Sequence, residues 1–419
     1  MLTKGLKTLL LGAVAALALS GAAQGGTLTI ESWRNDDAQI WKDKIIPAFE
    51  KAHPDIKIEF APTAPKEYNA ALNAKLEGGT AGDIITCRPF DASLELFNKG
   101  YLASLNDLST MANFSDVAKS AWTTDDGKTT FCVPMASVIH GFIYNKDIFK
   151  ELGLSEPKTE DEFFAVLEKI KANGTYVPLV MGTADQWESA TMGFQNIGPN
   201  YWKGEEGRKA LIDGTGKLTD PAYVSTFATL AKWAPYLGDG YKAQTYPDSQ
   251  NLFGLGKGAI YAAGSWDIST FHAQNINMGA FKPPLPAGAT ECFISDHTDM
   301  GIGMNAKTKN PADAKVFLDW IGTEEFANIL GNELPGFFPL SNAKVQLKDD
   351  VAQTFVNWRA ECKSTIRNSY QILSRGTPNL ENEMWNVSAQ VINGTMTPEA
   401  AAAQLQAGLP MLAYKRPVS

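Results

Sequence analysis

A chain of 419 residues, 44% hydrophobic and only 20% charged, is long enough for two or three domains and too apolar for intrinsic disorder. Its net charge of −9 argues against a nucleic-acid binder, which needs a basic face. Ten Trp and 21 Phe are a generous supply of flat rings, the side chains that grip ring-shaped ligands.

At the N-terminus, Lys4 and Lys7 precede an apolar run over 9–19, and Ser20, Gly21, Ala22 and Ala23 follow. That is the layout of a secretory signal peptide cleaved near residue 23. The run is about half of the ~20 residues a membrane-spanning helix needs. No Cys follows the small residues, so no lipid anchor is expected and the mature chain should be free in an exported compartment. Disulfides are permitted there, and Cys87, Cys132, Cys292 and Cys362 allow three pairings. Cys87–Cys132 and Cys292–Cys362 are preferred because each pair lies within one stretch of chain, with unpaired thiols as the alternative. No CxxC or Cys/His cluster is present, so neither zinc nor any other cofactor is expected.

In chain order, a short apolar strand over 28–33 enters the polar turn Arg34-Asn35-Asp36-Asp37. Trp41, Ile45, Ala48, Phe49 and Ala52 recur at helical spacing until His53-Pro54 stops them. Ile56, Ile58 and Phe60 alternate as in a strand. Pro65 opens a helix bearing Tyr68, Leu72 and Leu76, which Gly78-Gly79 closes. A buried strand follows over 83–86. This order predicts an α/β fold with a parallel sheet flanked by helices. Thr159 and Glu162 form a capping box ahead of a helix ending at Gly174. Later helices are expected over 313–331 and 398–407, and the proline-rich 283–286 is expected to mark a crossing between domains.

Ligands of such sheets bind beyond the carboxyl ends of the strands. Two loops stand there: Trp33-Arg34-Asn35-Asp36 and Arg88-Pro89-Phe90-Asp91. Each offers an aromatic ring, a guanidinium and a carboxylate, the set that stacks on sugar faces and bonds their hydroxyls. Asp36 or Asp37, and Asp91, are also expected to cap the helices that follow.

The middle of the chain carries a resemblance. Tyr144-Asn145-Lys146-Asp147-Ile148-Phe149, Gly153-Leu154 and the run Pro157, Thr159, Asp161-Glu162-Phe163 stand in fixed order. Gly256-Lys257-Gly258-Ala259, Gly264-Ser265-Trp266, the stretch with Phe317 and Trp320, and Gly336-Phe337-Phe338-Pro339 come after them. Together they resemble the family 1 extracellular sugar-binding proteins of ABC importers, the maltose-binding-protein-like group. Glu160, where that family usually has Trp, and the Arg88 to Asp91 loop depart from its commonest pattern.

The resemblance implies two α/β lobes joined by crossover strands and closing on a ligand. The first lobe would comprise 24–136 with about 296–334, the second 137–295 with about 335–419. It implies ligand contacts at Trp33, Arg34, Asn35, Asp36, Arg88, Asp91 and His140. On the second lobe it implies Asp185, Gln186, Trp187, Ser265, Trp266, Asp267, one of Phe337 and Phe338, and Arg375. A monomeric periplasmic receptor for a di- or oligosaccharide, delivering it to a two-subunit permease, is the function implied. A secreted glycoside hydrolase is disfavoured because no acid sits in a recognisable catalytic motif. The same fold with a polyamine ligand would draw on Asp36, Asp91, Asp185 and Asp267. Near Lys257 the glycines lack the Ser or Thr of a phosphate loop. Asp299, in Asp296-His297-Thr298-Asp299, is a further sugar-contact candidate.

Overall fold

The computed structural model describes residues 26–375 and 377–413; the expected signal peptide lies outside them. Ten strands occur among the described residues. They are β1 (Thr27–Ser32), β2 (Lys57–Pro62), β3 (Ile84–Cys87), β4 (Val133–Asn145), β5 (Val177–Val180), β6 (Gly258–Gly264), β7 (Met278–Phe281), β8 (Phe293–Met304), β9 (Phe338–Pro339) and β10 (Lys363–Thr365).

The first three strands pair in parallel, β2-β1-β3, as the alternating strands and helices of the sequence require. Every residue of β3 is buried, the pattern of a strand covered by helices on both faces. On the far side β5 pairs β6 in parallel, and β6 and β7 both pair the second half of β4. Two long strands join these groups. The first half of β4 runs antiparallel to β8, and the end of β8 pairs β3. The result is a curled sheet in two lobes, with β4 and β8 spanning both and the short β9 adding a third crossing against Ala136 and Ser137. All 13 residues of β4 are buried, because both lobes pack on it.

Local signals explain the helices. Thr159 and Glu162 form the reciprocal capping box of the helix Glu160–Asn173, and Gly174 ends it at φ 75°. The expected helix over 313–331 divides at Gly322 into Pro311–Ile321 and Glu324–Glu333, because Thr323 caps a new start. The prolines at 283–286 do not cross between lobes. Leu285 pairs with Thr159 inside the second lobe, exchanging bonds of 2.9 and 3.0 Å with Lys158 and Glu160. Both preferred disulfides form, Cys87–Cys132 and Cys292–Cys362. The first ties the end of β3 to the residue preceding β4, directly beside Arg88.

Candidate functional site

Where the lobes meet, β1 and β3 deliver Trp33, Arg34 and Arg88 from one side. The turn after β6, the 185–191 segment and the helix Leu380–Ile392 deliver Trp266, Trp187, Thr191 and Trp385 from the other. Together with Tyr246, Asp299, Arg367 and Pro65 these residues enclose a cavity of about 60 Å³. Five aromatic rings form its walls: Trp33, Trp187, Tyr246, Trp266 and Trp385. Its polar groups include three guanidiniums, one carboxylate, the Thr191 and Tyr246 hydroxyls and the Trp385 indole N–H.

Each wall is held from behind. Trp33 meets Tyr68 edge-on at 5.5 Å and carries the Arg88 guanidinium 4.5 Å above its ring. Trp187 meets Tyr246 edge-on at 4.7 Å, and the Tyr246 hydroxyl donates to Asp267 at 2.6 Å. Gly264 lets Trp266 lie over the end of β6, since a Cβ there would stand 1.9 Å from the indole. Arg34 is buried, donates to Asp37, lies 3.1 Å from Asp36 and sits 4.8 Å over the Phe337 ring. Burial pushes the Asp37 carboxyl up to about 6 against the pull of Arg34. Burial likewise raises Asp267 to about 7, opposed by the bonds from Tyr246 and Gln250.

The lobes touch directly around this cavity. Arg34 reaches the Trp266 carbonyl at 3.5 Å, Ser269 donates to Asp37 at 3.2 Å, and Lys66 lies 3.3 Å from Asp185. Farther out, Arg375 bonds Asp91 at 2.6 Å and Asp125 at 2.7 and 2.9 Å. Burial raises Asp91 to about 6 in spite of Arg375. From the inner cavity a second space of about 200 Å³ continues past Arg88, Arg367 and Trp385. It opens past Pro89, Tyr370 and Glu381 into a third of about 550 Å³, whose rim carries Arg375 and Asp91.

Of the residues singled out in the sequence, Trp33, Arg34, Arg88, Trp187, Trp266 and Asp299 line the inner cavity. Asn35 is exposed, and Asp36 stands behind Arg34. Neither expected aspartate cap forms: Phe90 precedes the helix Asp91–Asn98, Asp37 precedes the helix at Ala38, and no side chain caps either one. Asp91 and Arg375 pair with each other at the outer rim instead of meeting in the inner cavity. His140 is wholly buried behind Trp266, its Nε2 2.9 Å from that of His297. Gln186 is exposed at φ 63°, turning the chain so that Trp187 points inward. The Ser265 hydroxyl donates to Gly336 and accepts from the Ile139 amide, which ties β4 to the third crossing. Asp267 supports Tyr246. Phe338 is buried under Arg359, and Phe337 under Arg34.

The sequence reading missed Tyr246, Thr191, Arg367 and Trp385. Thr191 lies in a π-helical stretch, Ser189–Phe194, the kind of helical irregularity that often marks a site. A Thr245–Asp248 capping box was legible ahead of Tyr246 and would have fixed a helix start there. Nothing local announces Arg367 or Trp385; only tertiary packing brings them in.

A profile of the family described as bacterial extracellular solute-binding protein matches residues 33–327. An ABC transporter extracellular-binding protein of Pyrococcus horikoshii is 26% identical over 75% of this chain and 71% of its own length. The multiple sugar-binding protein of Streptococcus mutans is 23% identical over 67% of each chain. Among solved structures, the bacterial solute receptor AcbH superposes with a TM-score of 0.80 at 19% identity, over 93% of this chain and 100% of that one. RafE in complex with raffinose gives 0.75 at 19%, over 92% and 99%. These likenesses carry the two-lobed fold, and the match over most of the chain carries the membership: this chain belongs to the bacterial extracellular solute-binding protein family.

Proposed function

We propose that this chain is the carbohydrate receptor of an ABC importer, working in the periplasm as a monomer and handing its ligand to a membrane permease. The observation that carries the reading is the inner cavity. Too small by itself for a sugar ring, it shares Arg88, Arg367 and Trp385 with the second space; across the two, aromatic walls suit the apolar faces of a pyranose, and guanidiniums and carboxylates suit its hydroxyl edge. The name of the Streptococcus mutans relative and the raffinose bound to RafE point the same way. The adjoining spaces leave room for more than one ring, which favours a di- or oligosaccharide.

Capture follows from differential contact. Trp33 and Arg88 belong to one lobe, Trp187 and Trp266 to the other, so a ligand touching all four gains most when the lobes are closed and draws the population there. The lobe boundaries we assign, near residues 136, 296 and 335, follow the crossings of β4, β8 and β9. The chain acts by binding rather than by chemistry, like the ABC transporter relatives. Native mass spectrometry against a panel of sugars, polyamines and amino acids tests this. A one-to-one adduct of an intact sugar is expected; a polyamine adduct alone, or sugar fragments that accumulate with time, would contradict it.

A further inference from the structure

Resting on the carbohydrate reading, we infer that the ligand is an acidic sugar, whose carboxylate is received by Arg88, Arg367 and Trp385 at the junction of the inner cavity with the second one. These three residues line both spaces. Arg367 and Trp385 each hold a buried N–H without a partner, and Arg88 has no carboxylate in direct contact among the described residues.

Arg88 bonds only neutral acceptors, Asn69 at 2.8 Å and the Pro65 carbonyl at 3.1 Å. Among the described residues no carboxylate stands within ion-pair distance of it, whereas Arg34 has Asp36 and Asp37, and Arg367 has Glu381 at 3.2 Å. Arg367 is buried against the Tyr370 ring, yet its Nε finds no acceptor. The Trp385 indole N–H is equally buried and equally unpartnered. A buried donor left unpaired is costly, and a ligand that supplies the acceptor removes that cost.

The inventory selects the acceptor. A sugar hydroxyl brings a proton that must find an acceptor of its own; Asp299, Thr191 and Tyr246 carry the side-chain acceptors on the inner wall, and Glu381 in the second space is already engaged by Arg367. A carboxylate brings about four lone pairs and no proton, and its planar geometry matches a guanidinium edge. It would also give Arg88 an ion-pair partner in direct contact, where Asp299 and Glu381 act on it only from farther away. Asp299 faces the same space, and burial holds its carboxyl above the ordinary range against the pull of Arg367, Arg88 and Arg34.

The test is calorimetric titration of the full mature chain with matched pairs: methyl β-glucuronide against methyl β-glucoside, and digalacturonate against galactobiose. At least one acid should bind about tenfold or more tighter than its neutral counterpart. That preference should vanish in Arg88→Gln and Arg367→Gln, and shrink in Trp385→Phe, which removes the N–H and keeps the ring. Asp299→Asn should tighten the acid and weaken the neutral sugar. Thermal melts establish that each variant is folded. Neutral sugars bound as tightly as acids by the wild type would overturn the inference and leave the carbohydrate reading standing, as would a preference for glucose 6-phosphate over the uronic acids. Binding of no sugar, with a polyamine bound instead, would overturn both.

Discussion

Trp266 concentrates the residue-scale argument. It joins the turn after β6 to the cavity, stands edge-on to His140 and offers its carbonyl to Arg34 of the opposite lobe. Trp266→Ala should weaken sugar binding by about 1–3 kcal/mol in calorimetry while moving the melting temperature little. Gly264→Ala should weaken binding in the same way, because its methyl would occupy the space of the indole. A large loss of stability with intact affinity would make Trp266 a packing residue instead. Asp267 allows a pH test. Its carboxyl is raised to about 7, so the folded chain holds that proton more tightly than the unfolded one. Stability should therefore fall as pH rises from about 4 to about 7 and stay level above. Asp267→Asn should flatten that fall by a few degrees of melting temperature, since its amide oxygen still accepts from Tyr246.

At the scale of elements, how well the sequence could be read depended on whether a signal is local. The capping box of Thr159 and Glu162, the prolines at helix starts and the strand-helix-strand order all act within a few residues, and each yields its element. Thr159→Ala should lower stability by about 1 kcal/mol in denaturant melts without changing affinity, because that helix stands outside the cleft. Long-range placement was less legible. Asp36 and Asp91 follow the cap pattern, yet Asp36 turns to Arg34 two residues before it and a tertiary salt bridge to Arg375 draws Asp91 away. Arg367 follows β10 and reaches the cavity only because the Cys292–Cys362 disulfide and the pairing of β10 with β8 fix its path. The two loops that bring Trp33, Arg34 and Arg88 to the cavity were legible from topology, since β1 and β3 end at the cleft. Trp385 needed the packing of its helix on the Ser189–Phe194 stretch, which no short motif encodes.

For the whole molecule, the contacts across the cleft include Arg34 with the Trp266 carbonyl and the Phe337 ring, Asp37 with Ser269, Phe90 with Tyr370, Lys66 with Asp185, and Arg375 with Asp91 and Asp125. The Lys66 and Arg375 pairs are charged and near the rim, where water and salt compete, so they hold a closed form only weakly without ligand. Arg375→Ala should shift the unliganded protein toward the open form and lower sugar affinity severalfold, with the inner cavity unaltered. The measurement that bears most directly on capture between closing lobes is small-angle X-ray scattering of the protein with and without saturating sugar. The unliganded profile should be more extended than the closed structure, and the liganded profile should match it. Sugar bound at saturation with no change in the profile would contradict capture by closure.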